Sequence, residues 1–522
     1  MERYLFSQFQ NTEKFKAIIE NYDANKRQLI HGLNEEGMAY LCCNLNDYKI
    51  DKILIITSNE FKAREINNYI NSYTKNSDIF NQRELILYNV DALSKEDIYK
   101  RVNTLYKAIN EEKLIVTASV NSLISRVIPK EKFKKNMLKL EYGLSYDFEN
   151  LIHSLVDLGY ERVEAIEGRG QFSVRGGILD IFSLSESNPY RIEFFDDEVD
   201  SIRSIDIKTQ RSIKNEKELL VLPCSDVFFN KEELDYIKKE LEKDYQKRLK
   251  KLDTSISSYD KIKENLNSLY ESYAFKIGEN TSFNNTDLLL PFANFEFESI
   301  LDYFDDNTLV VLFEPDKVYE EFKVLAESFN LSYAQLFEKG EAFYKQSDIY
   351  FSRADIEKKI NSKKIMYHNA IIKTNKNYQI DDICQIISKD ATAYYGKMED
   401  LSNELNRYKY KGYKTLIVLS SDEKCKKLHL LLNDYNCSTV LSFDSTTPMS
   451  GQVFITTGDL KKGFEMLESK LLLLTENEIF GVVKKKSKIK INKAKKNKIE
   501  TFSDLKLGDY VVHEYHGIGQ YI

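Results

Sequence analysis

Apolar and polar positions change period along this chain. Ile53-Leu54-Ile55-Ile56 is a continuous apolar run, which predicts a strand buried on both faces. Leu85-Ile86-Leu87 and Leu114-Ile115-Val116 read the same way, with a helical stretch from Glu60 to Tyr73. Strands and helices alternating between residues 25 and 130 predict a parallel, doubly wound sheet. Around Gly143 the texture changes. Tyr146 to Leu158 fits one amphipathic helix, with Ser145 available as N-cap and Gly159 just past its end. Strands then follow without helices between them: Gln171 to Arg175, Ile178 to Phe182, Tyr190 to Phe195 and Val199 to Ile205, the last two joined at Asp196-Asp197. That succession predicts a small α+β insertion with an antiparallel sheet.

Beyond Pro223, the residues Leu234, Ile237, Leu241, Tyr245, Leu249 and Leu252 recur at helical spacing and predict one buried stripe of a long helix. The apolar run Thr308 to Phe313, ended by Pro315, returns to parallel-sheet texture, so the first sheet is expected to resume after the insertion. A second α/β unit is expected over residues 345–478, with strands at Thr415 to Leu419, Val453 to Ile455 and Leu471 to Leu474 and a helix from Asp422 to Leu432. The block Lys484 to Lys498 has the like-charge density of a solvated linker, with nucleic-acid binding as the rival reading. A strand-like module begins after it. At about 20 residues that module is too small to bury a core, so the chain is expected to stop within a domain.

Length and charge narrow the picture. A chain of 522 residues predicts about three to four domains. The net charge of −7 argues against the whole chain acting as a trap for nucleic acid and leaves only local patches for such contact. None of the six cysteines forms a C-x-x-C pair, which predicts reduced, buried thiols in a cytosolic protein. No apolar run approaches the ~20 residues of a membrane span, and the N-terminus has no apolar leader core, so a cytoplasmic protein without membrane contact is expected. His513 and His516 form an H-x-x-H pair without further ligands, and no metal site is expected there.

Gly32 and Gly37 have the G-x-x-x-x-G spacing of a phosphate-cradling loop. In such a loop a lysine neutralises the β- and γ-phosphates and the next hydroxyl holds Mg²⁺. Met38 and Ala39 occupy those positions and can do neither, while Glu35 and Glu36 add negative charge. At the end of the apolar run Leu309 to Leu312, where a metal-holding Asp-Glu pair would stand, the chain has Phe313-Glu314. Both halves of the site therefore read as degenerate, and no catalytic residue, ATP or Mg²⁺ is expected for this chain.

The string from Gly159 to Ser212, GYERVEAIEGRGQFSVRGGILDIFSLSESNPYRIEFFDDEVDSIRSIDIKTQRS, resembles the UvrA-binding domain shared by the excision-repair protein UvrB and bacterial transcription-repair coupling factors. The final LGDYVVHEYHGIGQY resembles the start of the coupling factor's RNA polymerase-interacting domain, and together the strings point to that family. The resemblance implies an α/β fold: a degenerate phosphate-loop (RecA/helicase-like) parallel-sheet domain, interrupted by an α+β insertion and followed by a second α/β domain and the beginning of a small β-barrel. The implied divisions are 1–142 and 216–330 for the UvrB-like domain, 143–215 for the UvrA-binding insertion, 345–478 for a domain of unassigned role, 479–501 for a basic linker and 502–522 for the truncated polymerase-interacting domain. It also implies recruitment of UvrA to RNA polymerase stalled at DNA lesions. An ATP-driven motor on double-stranded DNA would lie beyond residue 522, and the chain itself would not be an enzyme. An active, UvrB-like nucleotide-dependent helicase is the alternative. The short span from Tyr88 to Val116 leaves no room for UvrB's long damage-probing hairpin.

Strand alternation places Arg175, Arg191 and Glu193 on one side of the insertion's sheet if its apolar side packs on the helix at 146–158. The resemblance matches UvrB's UvrA-contacting residues to Arg162, Arg175, Arg191 and Glu193, puts Ser173 where that family has an arginine, and leaves Phe172 as a further expected contact.

Overall fold

The computed structural model describes residues 2–83, 95–255, 257–278, 286–372, 378–441, 450–481, 510–513 and 517–520. Strands β1 (Gln28–His31), β2 (Lys52–Thr57), β3 (Ser77–Phe80) and β4 (Leu114–Ser119) alternate with helices. The expected strand at Leu85 to Leu87 lies outside the described residues. β5 (Leu138–Glu141) then leads into an insertion made of β6 (Glu161–Arg162), β7 (Gln171–Arg175), β8 (Ile178–Ile181), β9 (Tyr190–Phe195), β10 (Glu198–Ile205) and β11 (Ser212–Glu216). β12 (Glu218–Val221) pairs antiparallel with β5, so the chain enters and leaves the insertion through a two-stranded neck.

The first sheet resumes with β13 (Leu309–Phe313), as the apolar run predicts. It does not stop there. β14 (Lys364–Asn369) and β15 (Asp382–Gln385) join it to give a seven-stranded sheet, order β15-β1-β14-β13-β2-β4-β3. Every pair in it is parallel. The expected division near residues 330–345 therefore falls inside the first sheet. Short edge strands such as Asp382–Gln385 have no apolar run to announce them. Along β2, Leu54 and Ile56 enter one core while Ile53 and Ile55 enter another, as a sheet covered on both faces requires. β13 divides the same way, Val310 and Leu312 against Leu309 and Val311.

In the insertion six strands run β11-β10-β9-β8-β7-β6, all antiparallel except the β6–β7 pair. Its helix spans Phe148–Asp157 and buries Leu151 and Leu155. The N-cap is Asp147, whose carboxylate accepts from Asn150 N–H at 3.0 Å. Ser145, the expected cap, is instead drawn into a bridge with Glu198, which delays the helix start.

Two 20-residue helices, Lys231–Lys250 and Tyr259–Gly278, form a separate core that holds Leu234, Ile237 and Leu241 of the expected stripe. The second α/β unit is a six-stranded sheet of β16 (Ser388–Asp390), β17 (Lys414–Leu419), β18 (Val440–Leu441), β19 (Val453–Thr457), β20 (Phe464–Met466) and β21 (Leu471–Thr475), in the order β16-β20-β21-β17-β19-β18. The β16–β20 and β20–β21 pairs are antiparallel, and the remaining pairs are parallel. The helix Glu35–Tyr48 lies between the two sheets: residues from Glu36 through Asn46 are buried, and its Met38 and Leu41 share a core with Val418, Phe454 and Leu473. Near the C-terminus Tyr510–His513 pairs antiparallel with Gly517–Gln520. Lys484 to Lys498 and His516 lie outside the described residues. No helix among the described residues is long and apolar enough to cross a membrane.

Candidate functional site

Antiparallel register in the insertion lines up two polar rows. Ser173, Asp180, Arg191 and Arg203 stand opposite one another across β7, β8, β9 and β10. Arg175, Ile178, Glu193 and Ser201 form the next row. Residues two apart share a side of the pleat, so both rows face one way. Leu179, Ile192 and Ile202 face the other way, into the core against the helix. Adjacent strands are about 4.8 Å apart, so each row is a ladder of side chains in mutual reach.

The charges on this face are organised. Arg191 donates to the buried Asp180 through two parallel bonds, Nε to Oδ1 at 2.7 Å and Nη2 to Oδ2 at 2.8 Å. That pairing raises the Arg191 pKa, keeping it a cation. Glu193 accepts from Ser201 Oγ at 3.0 Å and is ion-paired with Arg203. Arg175 is exposed and spends one donor on the Glu164 carbonyl at 2.8 Å. Ser173 is buried, its hydroxyl donating to the same carbonyl at 3.0 Å.

Two expected contact residues lie elsewhere. Phe172 is fully buried and packs in the core beneath the sheet, so it has no surface to offer a partner. This corrects its assignment as a contact; its place on the apolar side of the pleat is the physical reason. Arg162 is exposed on the edge strand β6, in register with Phe172 and not with the charged rows.

At the degenerate loop, β1 ends at His31 and the helix begins at Glu35, two residues before the second glycine. Asn34 caps it: its Oδ1 accepts from Gly37 N–H and its carbonyl from Met38 N–H, both at 2.9 Å. The amides of Gly37 and Met38 are thus spent in a helical turn. Met38 and Ala39 are fully buried. Phe313 is buried as well and stacks on His368, ring centroids 4.5 Å apart at 24°. His368 Nε2 lies 3.1 Å from the Leu33 carbonyl, so the loop and the strand end meet through this ring. Glu314 has φ 52° and directs its carboxylate to Lys317. The six expected residues of a nucleotide site come together, with their polar groups engaged by the protein.

Residues 138–227 match the family description of the UvrB interaction domain. Across 98% of its length the chain is 29% identical to the transcription-repair-coupling factor of Staphylococcus haemolyticus (strain JCSC1435). The same figures hold against that of Bacillus subtilis (strain 168). The chain is thus similar to transcription-repair-coupling factors over nearly its whole length. It spans 43% of the length of these two relatives. A solved structure titled XPD_Helicase aligns over 85% of the chain at 9% identity, with a TM-score of 0.23 too low to bear on the fold.

In this coupling-factor relative two residues of the charged face escaped the sequence reading. Asp180 and Arg203 hold Arg191 and Glu193 in place, and pairing the predicted strands as hairpins would have found both. Phe195 stands two residues beyond Glu193 on the same side of the pleat and is 80% exposed. Among the described residues no cluster of three or more His, Cys, Asp or Glu could hold a metal.

Proposed function

We propose that this chain is the non-motor part of a transcription-repair coupling factor and that the charged face of its insertion captures UvrA, delivering the excision-repair machinery to RNA polymerase stalled at a DNA lesion. The observation carrying this reading is the alignment of Arg175, Arg191 and Glu193 on one sheet face, within the stretch that matches the UvrB interaction domain. Arg191 is fixed in place by its pair with Asp180 and Arg175 projects to solvent, so carboxylates of a partner meet guanidinium groups in defined positions. Arg162 extends the contact along the edge strand. The polymerase is reached through the C-terminal β-module.

The chain does no ATP chemistry of its own. ATP, Mg²⁺ and translocation on double-stranded DNA belong to a motor carried by full-length family members, and the setting is the cytoplasm. Supporting this division, the loop that would hold a nucleotide has its amides, Met38 and Ala39 committed to a buried helix start. The rival, a UvrB-like nucleotide-dependent enzyme, requires a cation where Met38 stands. A pull-down with purified UvrA tests the proposal: the double substitution Arg175→Glu, Arg191→Glu is expected to abolish capture, and undiminished capture overturns it.

A further inference from the structure

We infer that the collapsed phosphate loop is a docking socket and that its occupant is the second α/β unit of the same chain. The occupant's leading strand, β16, sits where a nucleotide's phosphates would approach. Ser388 N–H donates to the Gly32 carbonyl at 3.1 Å, and Asn34 N–H donates to Ser388 Oγ at 2.9 Å. Asn34 Nδ2 reaches Asp390 Oδ1 at 2.7 Å. Lys462, from the same unit, bridges Glu36 at 2.7 Å and Asp390 at 3.1 Å. Deeper in, Tyr40 packs on Phe464 with ring centroids 5.4 Å apart.

This assignment accounts for residues that a lost nucleotide site leaves unexplained. Gly37 is required here by the occupant, and Gly32 by the end of β15 that leads into it. A Cβ on Gly32 would meet the Ile386 carbonyl oxygen at 2.7 Å, and Gly32 has φ +91° besides. A Cβ on Gly37 would lie 2.2 Å from Ser388 Oγ and 2.8 Å from Ser388 Cβ. Glu36, a carboxylate repellent to a polyanion, is buried and neutralised from across the joint by Lys462. Met38 is apolar because the helix start lies beneath the second sheet, in one core with Phe464 and Leu473. The nucleotide frame has become a joint, and the otherwise unassigned second unit is the part that closes it.

The sign of one substitution decides the matter. Gly37 lies in a helix, where alanine ordinarily stabilises relative to glycine. In the intact chain Gly37→Ala is expected to lower the calorimetric unfolding midpoint by about 2 °C or more, because the new methyl meets Ser388. In a Ser388→Gly background the same substitution is expected to do less harm or to stabilise. A raised midpoint from Gly37→Ala alone overturns the inference. As a second measure, Lys462→Glu sets a carboxylate against Glu36 without touching the first unit. Hydrogen exchange of residues 35–40 and 464–466 is then expected to speed up together by about tenfold or more, with β7 to β10 unchanged. Unaltered exchange at 35–40 would mean that the second unit is not seated there.

Discussion

Asp180 and Arg191 face each other across β8 and β9 in a two-pronged ion pair, with the carboxylate buried and the guanidinium partly exposed. The aspartate cannot reach a partner protein, yet it sets the orientation of the arginine that can. Arg203 is ion-paired with Glu193 in turn, both side chains being partly exposed. Arg191 and Glu193 are thus each one member of a cross-strand pair, and a partner meets side chains that are already ordered.

Replacing Asp180 by Asn keeps the shape and removes the charge. Loss of charge-assisted bonding at this buried position is expected to cost about 1–3 kcal/mol of stability. UvrA capture is expected to weaken although no contact residue has changed, because Arg191 loses its fixed geometry. Chemical denaturation and titration of UvrA against the folded variant check the two effects separately. Full affinity in Asp180→Asn would show that the pair does not orient Arg191 for binding.

Phe172 and Arg175, three residues apart on β7, should separate fold from contact. Truncating the fully buried Phe172 to Ala is expected to cost about 3–5 kcal/mol through lost burial and a residual cavity. The protein that remains folded should still capture UvrA. Arg175→Glu is expected to do the reverse, leaving the unfolding free energy within about 1 kcal/mol of the parent while capture falls. A direct loss of affinity in folded Phe172→Ala would restore Phe172 to the contact set.

Arg101 is fully buried, with the equally buried Asp226 2.7 Å from its Nε, and it also donates to the Asn81 carbonyl at 2.7 Å and Ser125 Oγ at 2.9 Å. It ties the end of β3 and the end of the short helix Val120–Ile124 that follows β4 to the segment leaving the neck. Arg101→Met is expected to destabilise by about 3–5 kcal/mol, since it strands Asp226 with only Arg83 as counter-charge. A loss under 1 kcal/mol in urea unfolding would argue against this bookend role.

What could be read from the residues divides by how local the cause is. β2, β4, β13, β17 and β21 carry apolar runs, because burial on both faces leaves no polar positions, and each was legible. β1 is Gln-Leu-Ile-His and β16 is Ser-Lys-Asp, and neither has a pattern that marks a strand. β1 exists because Met366 and Asp382, more than 300 residues away, pair with Gln28 on either side. The same holds for the sites. Side alternation sufficed to group Arg175, Arg191 and Glu193, whereas their tethers Asp180 and Arg203 required register. At the loop, the missing lysine was visible in Met38, but Ser388 and Lys462, which fill the space, lie in another unit.

His368 provides a pH test of the joint between loop and strand end. It is buried against Phe313, and burial pushes its pKa down to about 4, from an ordinary value near 6.5. In this window the unfolded chain binds a proton that the folded chain refuses, so stability rises with pH between about 4 and 6.5 and the contribution is flat above it. Acidification from pH 7 to 4 is therefore expected to remove up to about 3 kcal/mol through this residue alone. Carboxylates titrate over part of the same range, so the quantity to measure is the difference between the parent and His368→Asn. Asparagine can still meet the Leu33 carbonyl but takes up no proton. The parent's stability relative to the variant should fall as pH drops below about 6.5. A pH-independent difference would mean that His368 protonates without leaving its place beneath the loop.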